Sequence, residues 1–174
     1  MNIDQLLKSK IRDVPDFPKP GILFKDITPV LQDPAIFKKV IDAFAERYSG
    51  KKIDSFVGIE SRGFIFGAPL AYELGCSFIP VRKVGKLPYK TVQESYDLEY
   101  GNATVEMHID AVHKGHRVVV IDDLLATGGT ANATCTLLEK QGAKVVECAF
   151  VVELAFLEGR KKLSGRDIFS LVQY

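Results

Sequence analysis

Apolar residues recur along the chain in two rhythms. Val118, Val119, Val120 and Ile121 form an unbroken β-branched run, and similar runs fall at 53–59, 78–81, 145–152 and 168–172. Such short apolar stretches predict strands buried on both faces. The segment 104–109 alternates and predicts one more. Helical spacing appears in Ile3, Leu6, Leu7, Ile11 and Val14, a short amphipathic helix stopped before Pro15. It appears again in Phe37, Val40, Ile41, Phe44 and Tyr48, behind Asp33 as N-cap and Pro34 as first helical residue, with Gly50 closing the element. Further helices are predicted over 64–74, capped by Gly75, after Thr130 as far as Gly142, and as a short charged helix over 155–163. Strands alternating with helices predict an α/β fold with a mostly parallel sheet, as one domain over residues 1–174.

The polar residues gather where predicted strands give way to helices. After Ile121 come Asp122 and Asp123, then Leu124, Leu125 and the small run Ala126-Thr127-Gly128-Gly129-Thr130. Glycines let the backbone approach a phosphate, while free N–H groups at a helix start and two threonine hydroxyls can surround its oxygens. The chain has no GxxxxGK[ST] and no GxGxxG after a strand, which excludes the two better-known phosphate loops. Two carboxylates beside a phosphate repel it unless they hold a metal or accept hydrogen bonds from sugar hydroxyls. A ribose 5-phosphate meets both conditions; the plainer alternative is a solvated acidic turn.

The same logic repeats at two other strand ends. Glu60-Ser61-Arg62-Gly63 brings a guanidinium, which can bind phosphate oxygens bidentately, although a surface ion pair would look the same. Arg82-Lys83 and Lys86 bring three more cations, a solvated rim unless the ligand is a polyanion. Phe17-Pro18-Lys19-Pro20-Gly21 reads as a rigid turn before Leu23, Phe24 and Lys25, where Phe24 is either core or a binding surface. Residues 84–105 are long, polar and rich in glycine and proline, which predicts an irregular flap.

Composition narrows the partners more than the chemistry. Hydrophobic residues make up 47% and charged residues 26%, the balance of an ordinary globular protein, and a net charge of +1 gives no reason to expect nucleic acid or membrane. MNIDQLLKSK contains no apolar signal core, and no stretch approaches membrane-spanning length. Three widely spaced cysteines, Cys76, Cys135 and Cys148, read as buried thiols of a cytoplasmic protein. His108, His113 and His116 lack ligand spacing to cysteine or carboxylate and read as surface histidines.

The stretch IDDLLATGGT closely resembles the phosphoribosyl-diphosphate (PRPP) signature of the type I phosphoribosyltransferases, in the wording of the adenine-using branch. The resemblance runs over nearly the whole chain. It implies the type I fold, with a small N-terminal hood from about residues 1–32 and a mobile flap at about 84–105. It implies the reaction of adenine with PRPP to give AMP and diphosphate in purine salvage, with Mg²⁺ as cofactor, held mainly by substrate diphosphate and water, and a homodimer. Carried over residue by residue, Asp122, Asp123 and Ala126 to Thr130 would hold the ribose 5-phosphate. Ser61, Arg82, Lys83 and Lys86 would line the PRPP site, with Arg62 on the diphosphate. A matching PGxxFxD segment would set Phe24 against the purine, while the backbone of Leu23 and Lys25 reads its edge. Glu99 and Tyr100 match the flap's acid–tyrosine pair, with Glu99 the candidate for handling the purine proton. The loop at Glu60-Ser61 is expected to hold a cis peptide. Pro88-Tyr89-Lys90 departs from the Pro-Gly of many relatives. Two alternatives stay open: a phosphoribosyltransferase for xanthine, hypoxanthine or orotate, and a PRPP-sensing regulator that binds nucleic acid. The hood segment opposes the first, and the lack of a basic stripe opposes the second.

Overall fold

The computed structural model describes residues 2–97 and 101–174. In chain order its elements are α1 (Ile3–Lys10), β1 (Arg12–Pro15), β2 (Leu23–Asp26), α2 (Thr28–Leu31), α3 (Pro34–Tyr48), β3 (Ser55–Ile59), α4 (Arg62–Leu74) and β4 (Ser77–Lys83). Then follow β5 (Thr91–Asp97), β6 (Asn102–His108), β7 (Arg117–Leu125), α5 (Gly129–Lys140), β8 (Lys144–Glu153) and β9 (Ile168–Gln173). The main sheet runs β5-β6-β4-β3-β7-β8-β9. Pairing from β4 through β9 is parallel, and the β5–β6 hairpin joins β4 antiparallel. The chain therefore has the α/β fold with a mostly parallel sheet that its pattern predicts.

Alternation along β7 divides the core between the two faces of the sheet. Val119 and Ile121 pack with Phe44, Phe66 and Leu70 from α3 and α4 on one side. Val118 and Val120 pack with Leu137 and Leu138 of α5 on the other. Asp33 caps α3 as expected, accepting from the N–H groups of Ala35 and Ile36 at 3.1 and 3.2 Å. Helix α4 lies so close to β7 that a Cβ on Gly63 would sit 2.5 Å from the carbonyl oxygen of Ile121. That contact brings the first turn of α4 directly over Asp122.

Several boundaries differ from the sequence pattern. The first helix ends at Lys10, and Arg12–Pro15 is a strand paired with β2, because Val14 lies opposite Phe24 in a small separate sheet. Within residues 84–105 the described segments 91–97 and 102–105 are strand, whereas 84–90 are irregular. The polar residues of the two strand segments belong to β5 and β6, with both ends of the pairing, Thr91↔His108 and Asp97↔Asn102, in register. A hairpin exposed over much of its surface carries few apolar residues and so reads as a loop. Strand β7 continues through the acidic pair to Leu125, still paired with Glu153 of β8. The charged segment after β8 is two 3-10 turns, Ala155–Leu157 and Gly159–Leu163, broken at Glu158, which has φ 53°.

A buried ion cluster ties α3 to the sheet far from the strand ends that bear the acids. Glu147 accepts from Arg47 Nε at 2.7 Å and from the Tyr48 hydroxyl at 2.6 Å. Glu147→Ala should leave the buried Tyr48 hydroxyl unpaired and lower unfolding free energy by about 2–4 kcal/mol. A urea titration checks this, and a shift below about 0.5 kcal/mol would mean that water replaces the carboxylate at no cost.

Candidate active site

Asp122, Asp123, Glu60, Arg82 and Lys83 stand at the carboxyl ends of β3, β4 and β7, the edge where α/β sheets bind ligands. The two acids of β7 diverge, as neighbours on a strand must. Asp123 is buried and its Oδ2 lies 2.6 Å from Arg62 Nε. The Arg62 guanidinium in turn is 5.9 Å from the centre of the Phe24 ring. Asp122 instead lines a cavity with Glu60, Arg82, Lys83, Tyr96 and Thr130. Burial, and then the neighbouring Asp123 charge, push the Asp122 carboxyl well above its ordinary range. Burial also raises Asp123, against the pull of Arg62. A carboxyl in that condition gains most from incoming hydroxyl donors or cations, which favour its ionised form.

Asp122 also borders a second cavity, walled by Leu124 to Ala131. Its floor is the start of α5, whose first N–H groups have no acceptor within the helix. Gly128 precedes that helix at φ 79°, and a Cβ there would collide with the Gly159 carbonyl. Gly159 in turn leaves no room for a Cβ against the Ala126 carbonyl. Two glycines thus let the 159–163 turn brace the loop from outside. From the flap side, the Tyr96 hydroxyl lies 2.8 Å from Thr130 Oγ1, and its ring covers Gly129. The result is a small concave anion cradle with the Thr127 side chain exposed at its rim.

The cations on the other side are organised by Glu60. Its carboxylate accepts from Arg82 Nε and Nη2 at 3.3 and 3.2 Å, from the Lys83 N–H at 3.0 Å and from Lys86 Nζ at 2.7 Å. Burial alone would raise this carboxyl, but the hydrogen bonds from Lys86 and Arg82 outweigh it and hold it down to about 2. Among the described residues the Lys83 ammonium makes no ion pair, so it is the cation most open to a ligand. The Glu60–Ser61 peptide is cis, as the resemblance implies, and Ser61 is exposed at the start of α4.

Residues β1 and β2 form the remaining wall. Phe24 meets Phe17 edge-to-face, with ring centres 5.2 Å apart, and Leu23 is exposed. The Lys25 side chain turns away from this face: its ammonium pairs with Asp13 and lies 3.9 Å from the centre of the Tyr174 ring. Glu99 and Tyr100 lie outside the described residues.

The Phosphoribosyl transferase domain family matches residues 26–170 of the chain. The adenine phosphoribosyltransferase of Roseiflexus sp. (strain RS-1) is 60% identical over 168 residues, covering 97% of this chain and 98% of that protein. The chain belongs to the adenine phosphoribosyltransferase family. The crystal structure of the family member from Thermoanaerobacter pseudethanolicus superposes with a TM-score of 0.94 at 54% identity, covering 98% of this chain and 99% of that one. The Saccharomyces cerevisiae member, crystallised with adenine and an iminoaltritol bisphosphate, gives a TM-score of 0.92 at 44% identity, with 97% and 98% covered. As a phosphoribosyltransferase the chain is an enzyme, a pentosyltransferase.

Within this adenine phosphoribosyltransferase frame, the residues picked from sequence fall into two groups. Asp122, Lys83, Arg82 and Thr130 share one cavity, with Ala126, Thr127, Gly128 and Gly129 adjoining, while Asp123, Arg62 and Phe24 form a chain towards the hood. Arg62 therefore stands with Asp123 and Phe24, while Arg82 and Lys86 pair with Glu60. Sequence reasoning missed Glu60 and Tyr96 as parts of the site. Glu60 was visible as the acid directly before Ser61, three positions from the next glycine, but its partners come from β4 and beyond. Tyr96 becomes legible only once residues 91–97 are read as a strand.

The pH sign for Glu60 is definite. Its carboxyl is held below the ordinary 4.5, so the stability it contributes is complete above that pH and is lost as pH falls through about 2. Glu60→Gln should flatten the dependence of unfolding free energy on pH between 4.5 and 2. Parallel curves for the two proteins would show that Glu60 is not held as described.

Proposed function

We propose that the chain transfers the phosphoribosyl group of PRPP to adenine, releasing AMP and diphosphate, as a step of purine salvage. The observation that carries this reading is the divergence of Asp122 and Asp123. One carboxylate faces an anion cradle and a set of cations, and the other faces the Phe24 hood through Arg62. A ribose held between them has its 5-phosphate in the loop 126–130 and its anomeric carbon turned to the base.

In this reading the nitrogen 9 of adenine forms a bond to the anomeric carbon while the bond from that carbon to the diphosphate oxygen breaks. The base loses its proton, for which Glu99 is the candidate acceptor, with Tyr100 beside it. Positive charge grows on the sugar and negative charge on the departing diphosphate. Arg82, Lys83 and Lys86 stabilise that negative charge, and Arg62 stands at the junction of sugar and base. Ser61 borders the diphosphate, and the flap covers the reacting centre against water. Among the described residues no three His, Cys, Asp or Glu side chains converge. In this reading a Mg²⁺ would be carried chiefly by substrate oxygens and water, with the Asp122 and Glu60 carboxylates lining the same cavity. When bound, the ion would neutralise the leaving diphosphate. A reducing, cytoplasmic setting suits the three free cysteines, and no described helix is long and apolar enough to cross a membrane. A homodimer belongs to the same reading, with the exposed Ile65 and Tyr72 of α4 as an apolar patch for it.

Replacing both acids tests the sugar site. Each charge-assisted hydrogen bond is worth about 1.5–3 kcal/mol, so Asp122→Asn with Asp123→Asn should lower kcat/KM on the order of 10²-fold or more while the fold survives. Unchanged kcat/KM in a folded double variant would remove the pair from the site.

Base choice tests the hood. Adenine shows an amino donor beside a ring acceptor, which one backbone C=O and one N–H can match. Hypoxanthine reverses that pattern and sets acceptor against acceptor and donor against donor. Two buried mismatches should favour adenine by roughly 10²–10⁴-fold in kcat/KM. The preference should persist in Lys25→Ala, since that side chain is engaged with Asp13 and Tyr174. Comparable kcat/KM for the two bases would sink the assignment. Selectivity lost only in Lys25→Ala would keep adenine and overturn backbone reading.

A further inference from the structure

We propose that Glu106 is a positioning residue for the diphosphate side of the site: its buried carboxylate fixes the connection after β4 so that Lys86 and Arg82 stand together. The inference rests on the PRPP reading above and assigns a role to a residue that touches no substrate.

Glu106 lies on β6, opposite Arg82 of β4 and Gln93 of β5, and is 2% exposed. A single oxygen, Oε1, accepts from the N–H groups of Lys86 and Leu87 at 2.9 and 3.0 Å. Its other oxygen accepts from Gln93 Nε2 at 3.4 Å. Among the described residues no lysine or arginine pairs with it. A buried carboxylate is costly unless its lone pairs are filled. Here two of the donors that fill them are backbone N–H groups of one short connection, and the Thr91 side chain joins Gln93 as a further donor.

That connection carries a cation of the site. Lys86 is held at three points: its N–H by Glu106, its carbonyl by Arg82 Nη1 at 3.1 Å, and its ammonium by Glu60 at 2.7 Å. Arg82 is held at Glu60 by two further nitrogens. The ammonium of a lysine in a loop ordinarily samples many positions on its four-carbon stem. Fixing its backbone restricts that search, so the two cations meet a diphosphate already oriented. AMP has the sugar and 5-phosphate but no diphosphate, and its binding does not depend on this arrangement.

The test is calorimetric titration of PRPP and of AMP into the wild-type chain, Glu106→Ala and Glu106→Gln, with thermal unfolding beside it. Glu106→Ala should bind PRPP on the order of 10-fold more weakly, with AMP affinity changed by less than about twofold. Glu106→Gln keeps an acceptor oxygen for both N–H groups and can donate to a flipped Gln93, so it should stay near wild type. Equal losses for PRPP and AMP, no loss for either, or a Glu106→Gln as impaired as Glu106→Ala would each overturn the proposal. If Glu106→Ala does not fold, Glu106→Asp, which shortens the same arm by one methylene, carries the same expectation. A wild-type chain that binds no PRPP would overturn the functional reading and this inference with it.

Discussion

Burying carboxylates at the carboxyl edge of a sheet is the constraint on which the rest of this site depends. Asp122, Asp123, Glu60, Glu106 and Glu153 all stand there or directly beneath, and all but Asp122 are almost wholly covered. An unpaired buried charge is expensive, so each acid draws donors to itself. Asp123 takes Arg62, Glu60 takes Arg82 and Lys86, and Glu153 takes Arg160, Ser170 and Gln173. The acids therefore orient the cations before any ligand arrives. Among the described residues Asp122 accepts from the N–H of Asp123, at 2.9 Å, and pairs with no lysine or arginine. It is the acid with most left to gain from a ligand.

The same arrangement explains how a shared scaffold carries a particular base preference. The domain family matches from residue 26 onward, and β1 with nearly all of β2 lies before that point. The parts that would grip phosphate, sugar and diphosphate are thus in the common domain, and the hood is an addition to it. The two are joined by specific contacts. Lys10 pairs with Asp33 at 3.1 Å, and the Arg62 guanidinium lies 5.9 Å from the centre of the Phe24 ring. An added hairpin that small buries too little to hold its own position, so these anchors set where Phe24 stands.

The central features were legible in the sequence for a physical reason. A β-branched run, an acidic pair and a glycine loop are local, and each has few conformational options. The Asp33-Pro34 start of α3 is legible in the same way. What stayed hidden depends on partners distant in the chain. The strand character of residues 91–97 comes from pairing with β6, and the end of β7 is set by β8, so neither shows in the residues themselves. Val14 continued the helical spacing of Ile11 by coincidence, and its pairing with Phe24 decided otherwise. Arg62 was placed on the diphosphate by the match of its loop to the family's; its ion pair with Asp123, set by the approach of α4 to β7 at Gly63, was not legible. Local chemistry pointed to residue types, and packing decided which of them meet.

Topology also separates two reactive-looking clusters. Ser55 Oγ lies 2.7 Å from His116 Nε2, and His116 Nδ1 lies 2.8 Å from His113 Nδ1, a spacing that suits a nucleophile and its base. Yet Ser55 opens β3, and His116 immediately precedes β7, so the cluster stands at the amino ends of the parallel strands. Ser55 is fully buried and its hydroxyl is shared with Ser77, while burial pushes the His116 imidazole down. A hydroxyl without access to solvent has no substrate to attack, and its hydrogen bonds staple β3, β4 and the turn before β7. The opposite end has the reverse character: open cavities and cations gathered on acids, Arg82 and Lys86 together on Glu60. Transfer of a sugar from a diphosphate needs only orientation and charge stabilisation, and the carboxyl edge supplies both.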